Sequence, residues 1–126
     1  EKSEKNPVFK VQYAYTRICS ILKKAPKDRK RNINLALLKD ESELNLMREF
    51  LKFSEVVEDS AKDYQLQRLP QYSLEIAESF HRFYENCKVI SPDKELTGSR
   101  LQLTAAAKIV FKNTLDLMGL SAPERM

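Results

Sequence analysis

The fold is decided by a first helix, whose sequence runs from residue 6 to residue 24 as NPVFKVQYAYTRICSILKK. Asn6 and Pro7 predict its start, because asparagine caps free backbone amides and proline at the first helical position gives up an amide that has no partner. Apolar residues then recur in steps of three and four: Val8, Val11, Tyr15, Ile18 and Leu22. This spacing predicts one buried stripe, which other helices must cover.

The opposite face of the same helix carries polar side chains at the same spacing: Lys10, Tyr13, Arg17, Ser20 and Lys24. Tyr13 and Arg17 are one helical turn apart, so a phenol ring and a planar cation can point together into solvent and take a nucleobase beside or between them. Alternatively, Tyr13 is a half-exposed surface ring and Arg17 pairs with a carboxylate of another helix. From the residues alone, both interpretations stay open.

The middle of the chain predicts two shorter helices. One begins at Asp40, which can form a capping box with Glu43, and stops near Phe53. The other is expected to be capped by Ser54 and to end near Tyr64. A helical pattern therefore continues without any strand signal.

The remainder of the chain predicts two long helices. One opens near Leu69 and Pro70 and is broken at residues 91–93, and the last runs from about Ser99 to Gly119. The broad apolar face of the first of these includes three aromatic residues that are expected mostly in the core, although a ring at the rim can also stack a base. They are Phe80, Phe83 and Tyr84. The predicted fold is an all-α bundle of four to five helices.

Composition describes one domain, residues 1–126, with 42% apolar residues and a formal charge of +4. No apolar run approaches the ~20 residues of a membrane span, and no signal-peptide core follows the polar start. Cys19 and Cys87 lie far apart in a chain with one histidine, which predicts free, buried thiols. We therefore expect a cytoplasmic, monomeric protein with no cofactor and no metal in this chain.

Charge is unevenly distributed. Six basic residues and one acidic residue lie between Lys23 and Arg31, whereas four basic and eight acidic residues lie between Lys39 and Gln67. The asymmetry indicates a polyanionic partner on the basic side. The basic cluster itself is open to three interpretations: a solvated loop, a set of phosphate contacts or a nuclear-import signal.

Motifs for catalysis are absent from the sequence. It has no Gly-rich phosphate loop, no His-x-x-x-His or Cys-x-x-Cys pair and no nucleophile elbow. The carboxylates lie among basic residues, and the single histidine, His81, is expected to be structural. We expect no catalytic residue in this chain.

Four segments in a fixed order carry a resemblance to a known family. Residues 6–18 contain Val-Gln-Tyr-Ala followed by Tyr, Thr and Arg, residues 51–58 and 80–89 come next, and residues 115–126 end in Pro-Glu-Arg-Met. In this order they resemble the C-terminal helical domain of arginyl-tRNA synthetases, where Val-Gln-Tyr-Ala is followed by His, a small residue and Arg.

The resemblance implies an all-α anticodon-binding domain of the DALR type, the C-terminal fragment of a class I arginine-tRNA ligase. Its implied partners are tRNA(Arg) and the catalytic domain of the same polypeptide. ATP and magnesium would belong to that catalytic domain, whose His-x-Gly-His and Lys-Met-Ser-Lys-Ser signatures do not occur here, so the fragment alone is expected to be inactive. Two alternatives remain: the appended helical domain of a cysteinyl or glycyl synthetase, and a helical protein-interaction module that uses the acidic flank from Asp40 to Asp63 and does not bind RNA.

The resemblance also implies a site. The resemblance places the aromatic residue and the arginine of the first helix, and the carboxy-terminal residues, near the anticodon bases. The polar face of the first helix adds two further candidates, Ser20 and Lys24. The candidate RNA-binding residues are Gln12, Tyr13, Arg17, Ser20, Lys24, Arg125 and Met126. Tyr15 stands where the family usually has His, and Lys10 where Tyr is frequent, so neither position is assigned a role.

Overall fold

The computed structural model describes residues 6–26, 34–62 and 67–126. In these ranges it contains five α-helices, one short 3-10 turn at Leu35–Leu37 and no strand. The helices are α1 (Pro7–Lys23), α2 (Glu41–Leu51), α3 (Phe53–Lys62), α4 (Arg68–Asn86) and α5 (Lys94–Leu117). The predicted all-α bundle of four to five helices is confirmed.

Helix α4 lies at the centre of the bundle, where it packs against the other four α-helices, and α1 packs against both α4 and α5. The stripe predicted on α1 faces these two helices. Val11, Tyr15 and Ile18 are buried, while Val8 and Leu22 at its ends are half-buried. The polar face of α1 is thereby left on the surface beside α4.

Aromatic rings form the middle of the core. The Phe80 ring centre lies 5.8 Å from that of Phe83 and 6.2 Å from that of Phe111, in the tilted and edge-on geometries that aromatic pairs prefer. Both cysteines, Cys19 and Cys87, are buried and free, as predicted. The aromatic rings thus join α4 to α5 in the core.

Three helix ends confirm the predicted signals. The Asn6 side chain accepts a hydrogen bond from the amide of Val8 at 3.0 Å. Asp40 and Glu43 form the predicted capping box at the start of α2. Gly119 follows the end of α5 with a φ of 71°, a conformation in which glycine alone carries no steric cost.

The start predicted for α3 is wrong. This helix begins at Phe53, and Ser54 lies inside it rather than capping it. The cause is Lys52, which keeps a helical backbone and whose carbonyl accepts a hydrogen bond from the amide of Val56 at 2.9 Å. The chain therefore resumes a helix after one residue and needs no new cap. The predicted end near Tyr64 lies outside the described residues.

The start predicted for α5 is also wrong. This helix begins at Lys94, because the carboxylate of Asp93 accepts hydrogen bonds from the first free amides of the helix. Ser99, the predicted start, is fully buried and donates its hydroxyl to the carbonyl of Asn34 at 2.9 Å. Its hydroxyl is thus used to fix the segment before α2 instead of capping a helix.

Among the described helices, none combines the length and the hydrophobicity that crossing a membrane would require.

Candidate nucleic-acid interface

A cavity of about 770 Å³ lies between α1, the C-terminal end of α4 and the segment after α4. One wall consists of the polar face of α1, with Tyr13, Arg17, Ser20 and Lys24. Met126 lines the same cavity. Five of the seven predicted site residues are therefore brought together around one space.

Three side chains form a cluster in the wall of this cavity. The Cζ atom of Arg17 lies 5.1 Å from the ring centre of Tyr13 and 4.4 Å from that of Tyr84, which are cation–π distances. Arg17 Nη2 also donates to the Tyr13 hydroxyl at 3.4 Å. The two tyrosines are 45% and 42% exposed, so each offers ring surface to solvent beside a planar cation.

The alternative prediction for Arg17, an ion pair with a carboxylate of another helix, is not what the structure shows. Within residues 6–26, 34–62 and 67–126, Arg17 forms no ion pair. Its neighbours are the two rings. The guanidinium donors that Tyr13 does not use therefore stay available for another acceptor.

Tyr84 is the residue of this cluster that sequence reasoning missed. It was expected mostly in the core, and that prediction is wrong, because Tyr84 is 42% exposed, although its ring centre lies 6.5 Å from that of Phe80. Consecutive residues of a helix point about 100° apart, so Phe83 and Tyr84 do not face the same way. Phe83 is fully buried. Once Phe83 is assigned to the core, the angle of about 100° places Tyr84 at the rim, and this signal was present in the sequence.

Gln12 binds a residue near the end of the sequence, and its predicted RNA contact stays a prediction. It does not line the cavity, and its side-chain amide donates to the carbonyl and the hydroxyl of Ser121, at 3.0 and 3.1 Å. One turn further along α1, the hydroxyl of Thr16 donates to the carbonyl of Pro123 at 2.7 Å. These bonds hold the last residues of the chain along α1, which is how Met126 reaches the cavity.

The end of this tail is more exposed. Lys23 Nζ lies 3.6 Å from Glu124 Oε1. Because both side chains are more than half exposed, this ion pair contributes little to stability. Arg125 is exposed and does not line the cavity. Its predicted RNA contact stays a prediction.

A buried ion pair holds the opposite wall of the cavity. Arg100 Nε donates to Glu43 Oε2 at 2.7 Å, and Arg100 Nη1 donates to the carbonyl of Lys88, also at 2.7 Å. The Glu43 side chain is 1% exposed, and its other oxygen accepts from the amide of Asp40 at 3.0 Å. A buried carboxylate needs such partners. The arrangement fixes residues 87–90, which line the cavity, to α2 and α5.

Cys87, at the edge of this wall, is a structural thiol. Its sulfur lies 3.4 Å from the hydroxyl of Ser42, and burial raises the pKa of the thiol, which disfavours the reactive thiolate. Hydrogen bonds from the hydroxyl and the amide of Ser42 lower the pKa of Asp40. Asp40 therefore stays charged as the cap of α2.

The two positions that depart from the family pattern have separate environments. Tyr15 is 2% exposed, and burial together with a hydrogen bond to Cys19 raises its pKa to about 12. It is a core residue. Lys10 is exposed and lines a neighbouring cavity.

The family model for the DALR anticodon binding domain matches residues 11–126. The chain belongs to the DALR anticodon binding domain family. It is 42% identical to an arginine-tRNA ligase of Salinibacter ruber and 44% identical to one of Symbiobacterium thermophilum, over 100% and 99% of its own length. In both cases the chain spans only 23% of the relative.

Solved structures also match this chain. The arginyl-tRNA synthetase of Thermus thermophilus superposes with a TM-score of 0.81 at 31% identity, over 92% of this chain and 20% of that one. The arginyl-tRNA synthetase of Plasmodium falciparum gives a TM-score of 0.75, also at 31% identity, over 92% of this chain and 21% of that one. These longer enzymes therefore contain the same helical fold in one part of their chains.

The remaining predictions for this DALR domain concern the basic cluster, the single histidine and metal binding. Residues 27–31 of the basic cluster lie outside the described residues, so their phosphate contacts stay a prediction. His81 is exposed, with its Nε2 atom 3.3 Å from Glu85 Oε1 on the same helix face. No group of three or more His, Cys, Asp or Glu residues in the described part of the chain is placed to hold a metal ion.

Proposed function

We propose that this DALR domain binds the anticodon arm of tRNA(Arg) as the C-terminal domain of an arginine-tRNA ligase. The identity to arginine-tRNA ligases over the whole chain supports the choice of tRNA. The observation that carries the proposal is the contact of Arg17 with two exposed tyrosine rings in the wall of an open cavity.

The chemistry of the cluster suits unpaired bases of an RNA loop. Single-stranded RNA is commonly recognised by stacking splayed bases on aromatic rings or guanidinium planes, with hydrogen bonds to the base edges. Tyr13 and Tyr84 provide the rings, and Arg17 provides both a plane and donors. Each stacked base contributes about 1–3 kcal/mol.

The residues around the cluster suit the RNA backbone. Lys24 is an exposed cation on the same wall, and the half-buried Ser20 lies between it and Arg17 along the helix. Arg125 adds an exposed cation at the end of the tail. In this proposal these groups orient the loop through its phosphates, while the aromatic cluster distinguishes the bases.

In this proposal the parent enzyme has separate domains for RNA binding and for catalysis. The chain is one RNA-binding domain, residues 1–126, and the catalytic domain that uses ATP and magnesium to attach arginine lies elsewhere in the same polypeptide. The parent acts in the cytoplasm as a monomer. The domain alone neither activates arginine nor charges tRNA, because the sequence lacks the groups that would hold ATP phosphates.

Competition binding tests this function. Labelled tRNA(Arg) transcript bound to the domain is challenged with unlabelled tRNA(Arg), tRNA(Cys) or tRNA(Gly). We expect tRNA(Arg) to compete best, because the aromatic cluster contacts bases that differ among the anticodons. Equal competition by all three would contradict specific anticodon recognition, and absence of binding to any tRNA would favour a protein-interaction role.

A further inference from the structure

A second cavity, of about 950 Å³, adjoins the first one between α1 and α4. The two cavities share Tyr13 and Arg17 in their walls. The second one extends toward the N-terminal end of α1, where Phe9 and Lys10 line it. Together they form one groove along α1, divided by the Tyr13–Arg17 pair.

The floor of the second cavity is apolar and its rim is cationic. Leu74 of α4 is half-buried and supplies the accessible part of this floor, while Ala77 and Phe80 beneath it are 8% and 1% exposed. Lys10 is exposed at the rim and forms no ion pair with any residue that the structure describes. An apolar surface under an exposed cation matches a base with its neighbouring phosphate.

The acidic residue of this cavity lies beside a cation. Glu78 Oε1 lies 2.8 Å from Arg82 Nη2, one turn further along α4. The carboxylate therefore opposes a nearby phosphate less than a free one would. The net charge that the cavity presents comes from Lys10 and from Arg17 at its border.

Phe9 is placed as an aromatic platform. Its ring centre lies 5.9 Å from that of Tyr13, one helical turn away, at an angle of 57°. Phe9 is half-buried, yet among the described residues it is not one of the side chains that pack against the core. Its ring thus extends the row of aromatic surfaces that begins with Tyr84 and Tyr13.

We infer that the second cavity binds the nucleotide next to the one held in the first cavity, with its base on Phe9 and the apolar floor and its phosphate near Lys10. This inference rests on the proposed function. Lys10 and Lys24 lie fourteen residues apart on α1, or about 21 Å at the helical rise. A groove of that length, with cations at both ends and rings between them, has the composition of a site for a short single strand.

A series of anticodon arms tests the second subsite, each arm carrying one abasic loop nucleotide, with affinities measured for the wild-type domain and for Phe9→Leu and Tyr84→Leu. Loss of a stacked base lowers wild-type affinity by about 5- to 150-fold. We expect two adjacent loop positions to show this loss. Phe9→Leu should abolish the sensitivity at one position, and Tyr84→Leu at its neighbour.

A control variant and a second, independent measurement accompany this experiment. Ile109→Ala removes an exposed apolar side chain of α5 that lines neither cavity, and it should leave the abasic profile unchanged. Lys10→Gln should reduce the magnitude of the log–log salt slope by about 0.7, the value for one single-stranded phosphate contact. This second measurement does not depend on how Phe9→Leu affects folding.

The outcomes separate the inference from the proposed function. If Tyr84→Leu abolishes sensitivity at one position while Phe9→Leu leaves the profile unchanged or lowers all affinities equally, the second subsite is refuted and the anticodon function stands. An unchanged salt slope for Lys10→Gln would also overturn the phosphate assignment. If the wild-type domain responds to no abasic position, both the inference and the proposed function fail.

Discussion

The guanidinium carbon of Arg17 lies 4.4 Å from the centre of the Tyr84 ring. Arg17 belongs to α1 and Tyr84 to α4, so this contact exists only because the two helices pack side by side. The packing that builds the core therefore also assembles the aromatic cluster. A change that separates α1 from α4 is expected to weaken RNA binding even where no RNA-contacting residue is altered.

Replacing Arg17 by lysine separates its charge from its shape. Lysine keeps the positive charge but loses the planar fork that can stack on a ring or pair with two acceptors. We expect Arg17→Lys to weaken binding of the cognate anticodon arm while leaving the salt slope nearly unchanged. The matched control is Arg82→Lys, an exposed arginine of α4 that lines neither cavity. Equal losses in both variants would argue against a specific role for Arg17.

Loosening the tail should lower the affinity for RNA. Thr16→Val removes the hydroxyl that donates to the carbonyl of Pro123 and keeps the shape of the side chain. Loss of one such hydrogen bond, about 0.5–1.5 kcal/mol, corresponds to about a 2- to 10-fold weaker affinity for RNA. Backbone order parameters of residues 121–126 should fall, whereas Gln102→Ala, on the exposed face of α5, should change neither quantity. A weaker affinity with an unchanged tail would contradict this explanation.

Arg100 is expected to matter for stability as well as for the shape of the cavity. Arg100→Lys keeps a charge beside Glu43 but cannot reproduce the two directed bonds to Glu43 and Lys88. We expect the free energy of unfolding in urea to fall by about 1–3 kcal/mol. The exposed control Arg82→Lys should change it by less than about 0.5 kcal/mol. A similar small effect in both variants would show that the buried pair is not fixed as described.

Tyr15 predicts a pH dependence of stability. Its pKa in the folded protein is about 12, against about 10 in an unfolded chain, so the folded state holds the phenolic proton more tightly. The resulting stabilisation is fully present below pH ~10 and is lost as the pH rises through ~12. Tyr15→Phe should therefore lose less of its unfolding free energy over this range than the wild type does. Urea unfolding at several pH values measures the difference, and parallel curves would contradict the assignment.

Local sequence predicted most of the helices, because the signals for them lie within a few residues of each end. The Asp40 capping box and the Gly119 stop are examples. Where two caps compete, as Asp93 and Ser99 do, local sequence does not decide between them. Asp93 accepts from the free amides at the start of α5, and the Ser99 hydroxyl instead donates to a partner far away in the chain, the Asn34 carbonyl.

The candidate site was predictable on one wall only. The α1 wall follows from helical spacing, which places Tyr13 and Arg17 on one face. Tyr84 joins it through the packing of α4, and the partner of Gln12 is in the tail, so both depend on contacts between distant parts of the chain. Such contacts cannot be read from a local pattern.

The most direct test of the central claim is the affinity of wild-type and Tyr84→Leu domains for two anticodon arms, one cognate and one whose anticodon nucleotides are abasic. Tyr84 is exposed, so the variant should keep its melting temperature. We predict that Tyr84→Leu weakens binding of the cognate arm by about 5- to 150-fold and binding of the abasic arm far less, since the abasic arm has no base to stack on the ring and phosphate contacts remain in both arms. A common loss for both arms, or a lowered melting temperature without any loss of selectivity, would contradict the account.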